Sequence, residues 1–145
     1  MLNRVRYRDL NARQKENFNF MKLSAVLADF GFAMLRLTDD WQGADFIAQH
    51  IDGDTFVKVQ LKGRAVVDKK YEGKDLYIAF RSGSSWYLYP HDEVLRELLT
   101  RTGIGQTKSW REKGGYSFPG LSDVIRSILK PYRIPEVGEE LGTAR

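Results

Sequence analysis

Asp45, Gln60 and Lys62 are the side chains of this 145-residue sequence whose types and placement suit chemistry on a phosphate ester. They fall on two alternating segments, 44–51 and 54–62, joined by Asp52-Gly53. An Asp-Gly pair between such segments predicts a two-residue hairpin with a type I′ turn, because both residues tolerate positive φ. The turn sets the register. Ile51 then faces Asp54, Ala48 faces Val57, Phe46 faces Val59 and Asp45 faces Gln60. Directly opposed residues have Cβ atoms roughly 4.5–5.5 Å apart. Lys62 lies one pleat further along the same face, so a carboxylate, an amide oxygen and an ammonium are expected at one spot. Two such oxygens suit a hard cation such as Mg²⁺, held at about 2.0–2.1 Å and keeping water in its other positions. Such a water is a potential nucleophile, and a nearby ammonium can orient it or offset charge growing on phosphorus.

The elements that must hold these groups follow from periodicity. Phe20, Leu23, Leu27 and Phe30 recur at steps of three and four, which predicts a helix over 12–31 with Gly31 as its stop. Glu16 lies one turn before Phe20, so a carboxylate stands at the end of the apolar stripe. A strand is predicted at 33–38, then a polar loop at 39–43. On the main hairpin, Phe46, Ala48, Val57, Val59 and Leu61 share the apolar face, opposite Asp45, Gln60 and Lys62. Further along, 64–69 reads as an extended piece, 76–81 and 86–89 as a second hairpin, and 116–118 as a short edge strand. Helices are predicted at 91–100 and 122–129, with Ser122 as an N-cap. The order predicts an α+β fold with a mixed or mostly antiparallel sheet.

Composition excludes several classes. At 42% hydrophobic and 29% charged, the chain is neither disordered nor fibrous. Its length suits one domain over 1–134, with two independent cores a squeeze, and a flexible acidic tail at 135–145. No cysteine is present, which excludes disulfides, thiolate zinc sites and cysteine nucleophiles. His50 reads as a sheet-edge residue and His91 as a helix-starting one, which leaves no histidine-centred metal site. No apolar run is long enough for a membrane span, and the first ten residues lack the apolar core of a signal peptide. A cytoplasmic location is the expectation. The net charge of +4 hints at a polyanionic partner. It is unevenly spread: residues 39–60 carry five Asp against Lys58, between basic flanks.

Asp45 followed by Gln60-Leu61-Lys62 resembles the PD-(D/E)XK nuclease superfamily. Its signature is an Asp at the start of one strand and an acidic-or-Gln, any residue, Lys triplet on the next, often with a Glu from an N-terminal helix. Glu16 occupies that helical place. The element order over 12 to about 100 is similar to the core shared by Holliday-junction resolvases and restriction enzymes. Ala44 replaces the family's Pro, and Gln60 replaces its acid, so the site is less negative and binds Mg²⁺ more weakly. The resemblance implies a restriction-endonuclease-like core with an N-terminal helix, a mixed sheet and flanking helices. It implies that Asp45 and Gln60 hold Mg²⁺ or Mn²⁺, that Glu16 holds it indirectly or positions water, and that Lys62 assists the nucleophile. DNA, branched or structured, is the implied substrate, and a homodimer is expected because one site per chain cuts one strand.

Basic residues cluster outside that site. Arg4, Arg6 and Arg8 form an N-terminal arm with Tyr7. Lys108, Trp110, Arg111 and Lys113 form a second patch in a Gly-rich loop. Lys58, Arg64, Lys69 and Lys70 flank the site itself. The cations can neutralise phosphates, and Trp110 could stack on an unpaired base. A catalytically degenerate module that binds nucleic acid or a partner on the same fold is the competing reading.

Overall fold

A computed structural model describes residues 1–139. Asn11 opens the first helix. Its side chain accepts from the Gln14 N–H at 2.8 Å while the Gln14 side chain accepts from the Asn11 N–H at 2.9 Å. This reciprocal box satisfies two donors that a helix start leaves free. The helix, α1, spans Ala12–Ala28. It stops short of the predicted 31 because the next residues wind into a turn in which Gly31 N donates to Ala28 O. Gly31 has φ +84, and a Cβ there would lie 2.9 Å from His50 Nε2. Glycine is therefore required at this position for both conformation and close approach.

The first strand, β1, is Phe32–Trp41, and β2 is Ala44–His50. The expected loop at 39–43 is mostly strand. The reversal takes only Gln42-Gly43, whose φ values of 52 and 85 are those of a type I′ turn. Between the pairs Arg36–Phe46 and Trp41–Ala44, residues 37–40 have only Asp45 opposite them. The surplus forms a bulge.

The next strand, β3, is Phe56–Leu61. It pairs with β2 in the predicted register, Phe46 opposite Val59 and Ala48 opposite Val57. The turn itself is not the predicted two-residue one. His50 N donates to Thr55 O at 2.9 Å, so the loop holds residues 51–54, and only Gly53 has positive φ there. Asp52 closes this wider loop by accepting from Asp54 N, Thr55 N and Thr55 Oγ1 at 2.8, 2.8 and 2.6 Å. Register survives because the terminal Ile51–Asp54 pair opens without any slip.

After β3 the chain makes β4 (Val66–Asp68) and a 3-10 turn (Lys69–Tyr71), then β5 (Leu76–Ser82) and β6 (Ser85–Pro90). The helix α2 is His91–Arg101, a π-helical turn covers Ser109–Lys113, β7 is Gly115–Ser117 and α3 is Asp123–Leu129. One sheet has the order β1-β2-β3-β5-β6, antiparallel except for the parallel β3–β5 pair. β4 and β7 form a second, two-stranded sheet. Each face of the large sheet is covered. On the α1 side Leu23 and Leu27 pack with Phe46, Ala48 and Val59. On the other side α2 and α3 pack over Ile78, Phe80, Tyr87 and Tyr89. The two buried clusters share one sheet as their common wall. The described part of the expected tail ends in a turn where Arg133 pairs with Glu139. Residues 140–145 lie outside the described residues.

His91 is fully buried, and it ties the start of α2 to β4. Its Nε2 accepts from Asp68 N at 3.0 Å, which leaves Nδ1 to carry the proton and donate to Asp92 at 2.9 Å. His91→Ala leaves the Asp68 N–H without a partner and opens a cavity. The expected loss is about 2–4 kcal/mol of unfolding free energy, read by urea denaturation. A loss within error of zero would show that the link between α2 and β4 carries no stability.

Candidate active site

The paired rungs of β2 and β3 end at Phe46–Val59. At the next rung a side chain takes over from the backbone: Leu61 N donates to Asp45 Oδ2 at 2.9 Å. The carboxylate is thereby pinned across the end of the strand pair. Beside it opens a cleft of about 620 Å³. Glu16, Lys15, Asn19 and Phe20 of α1 form one wall, the bulge residues 37–40 form another, and Asp45, Gln60 and Lys62 form the floor. All four predicted catalytic positions, Glu16, Asp45, Gln60 and Lys62, thus line one cavity. Among the described residues, the side chains of Glu16, Gln60 and Lys62 form no hydrogen bond within the protein.

Burial pushes the Asp45 carboxyl above its ordinary range. The residue nonetheless keeps an exposed surface at the cleft. The Leu61 N–H and the Lys62 charge work in the opposite direction, while Asp40 and Glu16 add repulsion. Burial likewise raises the phenol of Tyr71, and the charges of Lys70, Asp68, Asp45 and Asp40 all reach it.

Sequence reasoning missed Asp39, Asp40, Arg36 and Lys15 as cleft residues. The first two were assigned to a loop. The signal that would have found them is Gln42-Gly43, read as the turn. Arg36 is held in place, its Nη1 3.0 Å from Asn17 Oδ1 and its guanidinium 4.3 Å from the Phe20 ring centroid.

The donor set suits a hard divalent cation. Asp45 and Gln60 offer carboxylate and amide oxygens, and the repulsion of Asp45 by Asp40 and Glu16 is what a cation would relieve. Among the described residues no three His, Cys, Asp or Glu side chains gather closely enough to hold a metal by themselves. The fit is therefore to an ion with few protein ligands and several waters, the habit of Mg²⁺.

The basic candidates are scattered. Arg4, Arg6 and Arg8 are exposed near the N-terminus, where Arg6 pairs with Asp9 at 2.9 Å. Between them Tyr7 reaches the cleft wall and accepts from Asn19 Nδ2 at 2.9 Å. Lys58 donates to Gln42 Oε1 at 3.0 Å and lies over Trp41, so it braces the type I′ turn. Arg64, Lys69, Lys70, Lys108, Arg111 and Lys113 are exposed. Trp110 is not available for stacking on a base: it is 7% exposed and sits in the core beneath Lys69.

No protein-family model matches the chain, and no curated protein sequence does. Among solved structures it is similar to Hjc, a Holliday junction resolvase from the archaeal hyperthermophile Archaeoglobus fulgidus. The two share 15% identity over 88% of this chain and 96% of that chain, with a TM-score of 0.51. At that identity the likeness is one of fold. The α+β architecture, with its N-terminal helix, mixed five-stranded sheet and flanking helices, resembles that of the resolvase.

Because the Asp45 carboxyl is raised in the folded state, the native protein binds that proton more tightly than the unfolded chain does. The stability linked to it is fully present below the unfolded value near 3.8 and is lost as pH rises through the folded one. Asp45→Asn keeps an acceptor for Leu61 N and removes the charge. The variant is expected to melt higher than the native protein at neutral pH, with the gain vanishing in acid. Thermal unfolding across pH checks this, and an Asn variant less stable at neutral pH would contradict it.

Proposed function

We propose that the protein is a metal-dependent endonuclease that hydrolyses DNA phosphodiesters in the cleft of Asp45, Gln60 and Lys62. The observation that carries this reading is the convergence of those three side chains and Glu16 on one cavity, with Asp45 fixed by Leu61 N. The fold shared with a resolvase supports it. Asp45 through Oδ1 and Gln60 through its amide oxygen would hold the ion, with Glu16 placed to act through water. Bound Mg²⁺ would supply Lewis-acid polarisation of the phosphate and offset its charge. Lys62 sets an ammonium beside the same carboxylate, where it can stabilise the negative charge of a five-coordinate phosphorus. In the net reaction a water oxygen bonds to phosphorus, the P–O bond to one sugar breaks, and the departing oxygen takes a proton. The junction for which the similar resolvase is named makes four-way junctions the first DNA to test. Two strands require two clefts, so a homodimer is the working assembly. Among the described residues no helix is long and apolar enough to cross a membrane.

One observation favours a binding module with an idle cleft: a neutral Gln60 in a site without three ligating acids or histidines. The two readings separate on incubation with four-way, duplex and single-stranded DNA in Mg²⁺ or Mn²⁺. Cleavage that requires the cation, and that falls on the order of 10²–10³-fold in Lys62→Ala, is the expected result. Asp45→Ala is expected to abolish it. Equal residual cutting by all three proteins means contamination and leaves the binder. Gln60→Glu adds a carboxylate to the donor set, so it should lower the Mg²⁺ concentration needed for half-maximal cutting. An unchanged or higher requirement removes Gln60 from the ligands.

A further inference from the structure

Beyond the cleft, the chain gathers cations that the hydrolytic reading does not use. Lys69 N donates to Gly114 O at 2.7 Å, which seats the 69–71 turn against the 109–113 turn. The Lys69 stem crosses Gly114 so closely that a Cβ there would lie 3.3 Å from its Cδ, and its Nζ is 5.2 Å from the Trp110 ring centroid. Lys70 Nζ is 5.2 Å from the Tyr71 ring centroid. Lys62 Nζ, at the cleft floor, is 5.9 Å from that same ring. Tyr71 is thus a shared pillar between the cleft and this second surface. Arg111 and Lys113 are exposed on the facing turn. Among the described residues, none of Lys69, Lys70, Arg111 and Lys113 is ion-paired to a carboxylate.

The aromatic rings decide what these cations meet. Proteins that hold single strands offer open aromatic faces on which bases stack. Here Tyr71 is 4% exposed and Trp110 is 7% exposed. Both rings are spent as supports beneath lysines. They restrict the lysine rotamers, which lowers the ordering cost on binding. With Tyr71 and Trp110 closed to solvent, these lysines can contact phosphates, and neither ring is free to stack on a base.

The geometry points to a phosphate-backbone exosite, in which Lys69, Lys70, Arg111 and Lys113 dock one arm of a double-stranded nucleic acid that continues toward Lys62. Only the end of that path, at Lys62, rests on the nuclease reading. The surface positions a duplex through its phosphates.

The test replaces all four residues by Gln, which keeps the packing of the stems, and compares the variant with the native protein. An unchanged thermal midpoint confirms the fold. Binding to a labelled duplex and to a single strand of equal length is titrated in EDTA over a range of salt. The native protein is expected to prefer the duplex. The variant is expected to bind it about 100-fold more weakly at moderate salt, with a salt slope shallower by about 3. Unchanged duplex affinity and slope would overturn the exosite, as would a native preference for the single strand. Cation-dependent cutting is read separately, on a duplex short enough to occupy only the cleft. Cutting there with an unaffected duplex titration removes the exosite and keeps the nuclease. No cutting by the native protein, with duplex affinity lost in the variant, does the reverse.

Discussion

The hydrogen bond from Leu61 N to Asp45 Oδ2 is the constraint on which the cleft depends. It exists because the β2–β3 ladder stops one rung earlier and leaves a backbone donor facing the next side chain. An unpaired donor at a strand end is costly unless something accepts from it. A carboxylate does so, and the same contact fixes where its other oxygen can go. Gln60 precedes the donor and Lys62 follows it, so a single backbone atom sets the relation between acid, amide and ammonium. Alternation does the rest: with Phe46 and Val59 committed to the α1 side, Asp45, Gln60 and Lys62 have no place in that core.

The walls of the cleft come from departures from regular geometry. The surplus residues of the β1 bulge bring Asp39 and Asp40 to the same opening as Glu16. On the far side, the parallel β3–β5 pair requires a crossover, and parallel strands need a dozen or more residues to return. That crossover carries β4 and the 69–71 turn, so its first residue is Lys62 and its lysines lie within reach of the same Tyr71 ring. The topology that places the ammonium also builds the second basic surface.

Much of this was legible in the sequence, for reasons that can be named. The β2–β3 register follows from the apolar set Phe46, Ala48, Val57 and Val59, because a slip of one residue would turn all four away from α1. The helix faces follow from Leu23 and Leu27, and from the Ser122 cap on Ile125 N. The turns were less legible. Asp-Gly was expected to form the type I′ reversal, yet Asp52 spends its carboxylate on Thr55 and Asp54 and so widens its loop. The I′ geometry falls instead at Gln42-Gly43, where Lys58 braces the glutamine from across the sheet. That contact joins positions sixteen residues apart and leaves no local signal. Trp110 shows the same limit. Neighbouring cations made it resemble a stacking residue, while it is buried in the core that also holds Val67 and Tyr71, some forty residues away in sequence.

Gln60 is the clearest departure from an acidic pair, and the electrostatics of the cleft give it a context. Asp45 already feels Asp40 and Glu16 as well as its own burial, and its carboxyl is raised against the pull of Lys62 and Leu61 N. A further carboxylate at position 60 would add to that repulsion. A neutral amide supplies an oxygen without that repulsion. The negative charge missing from β3 is present on the opposite wall, in the bulge that carries Asp39 and Asp40. The cleft is thus not short of charge. It distributes that charge between a strand end and a bulge, so a cation held there would be attracted by the whole wall.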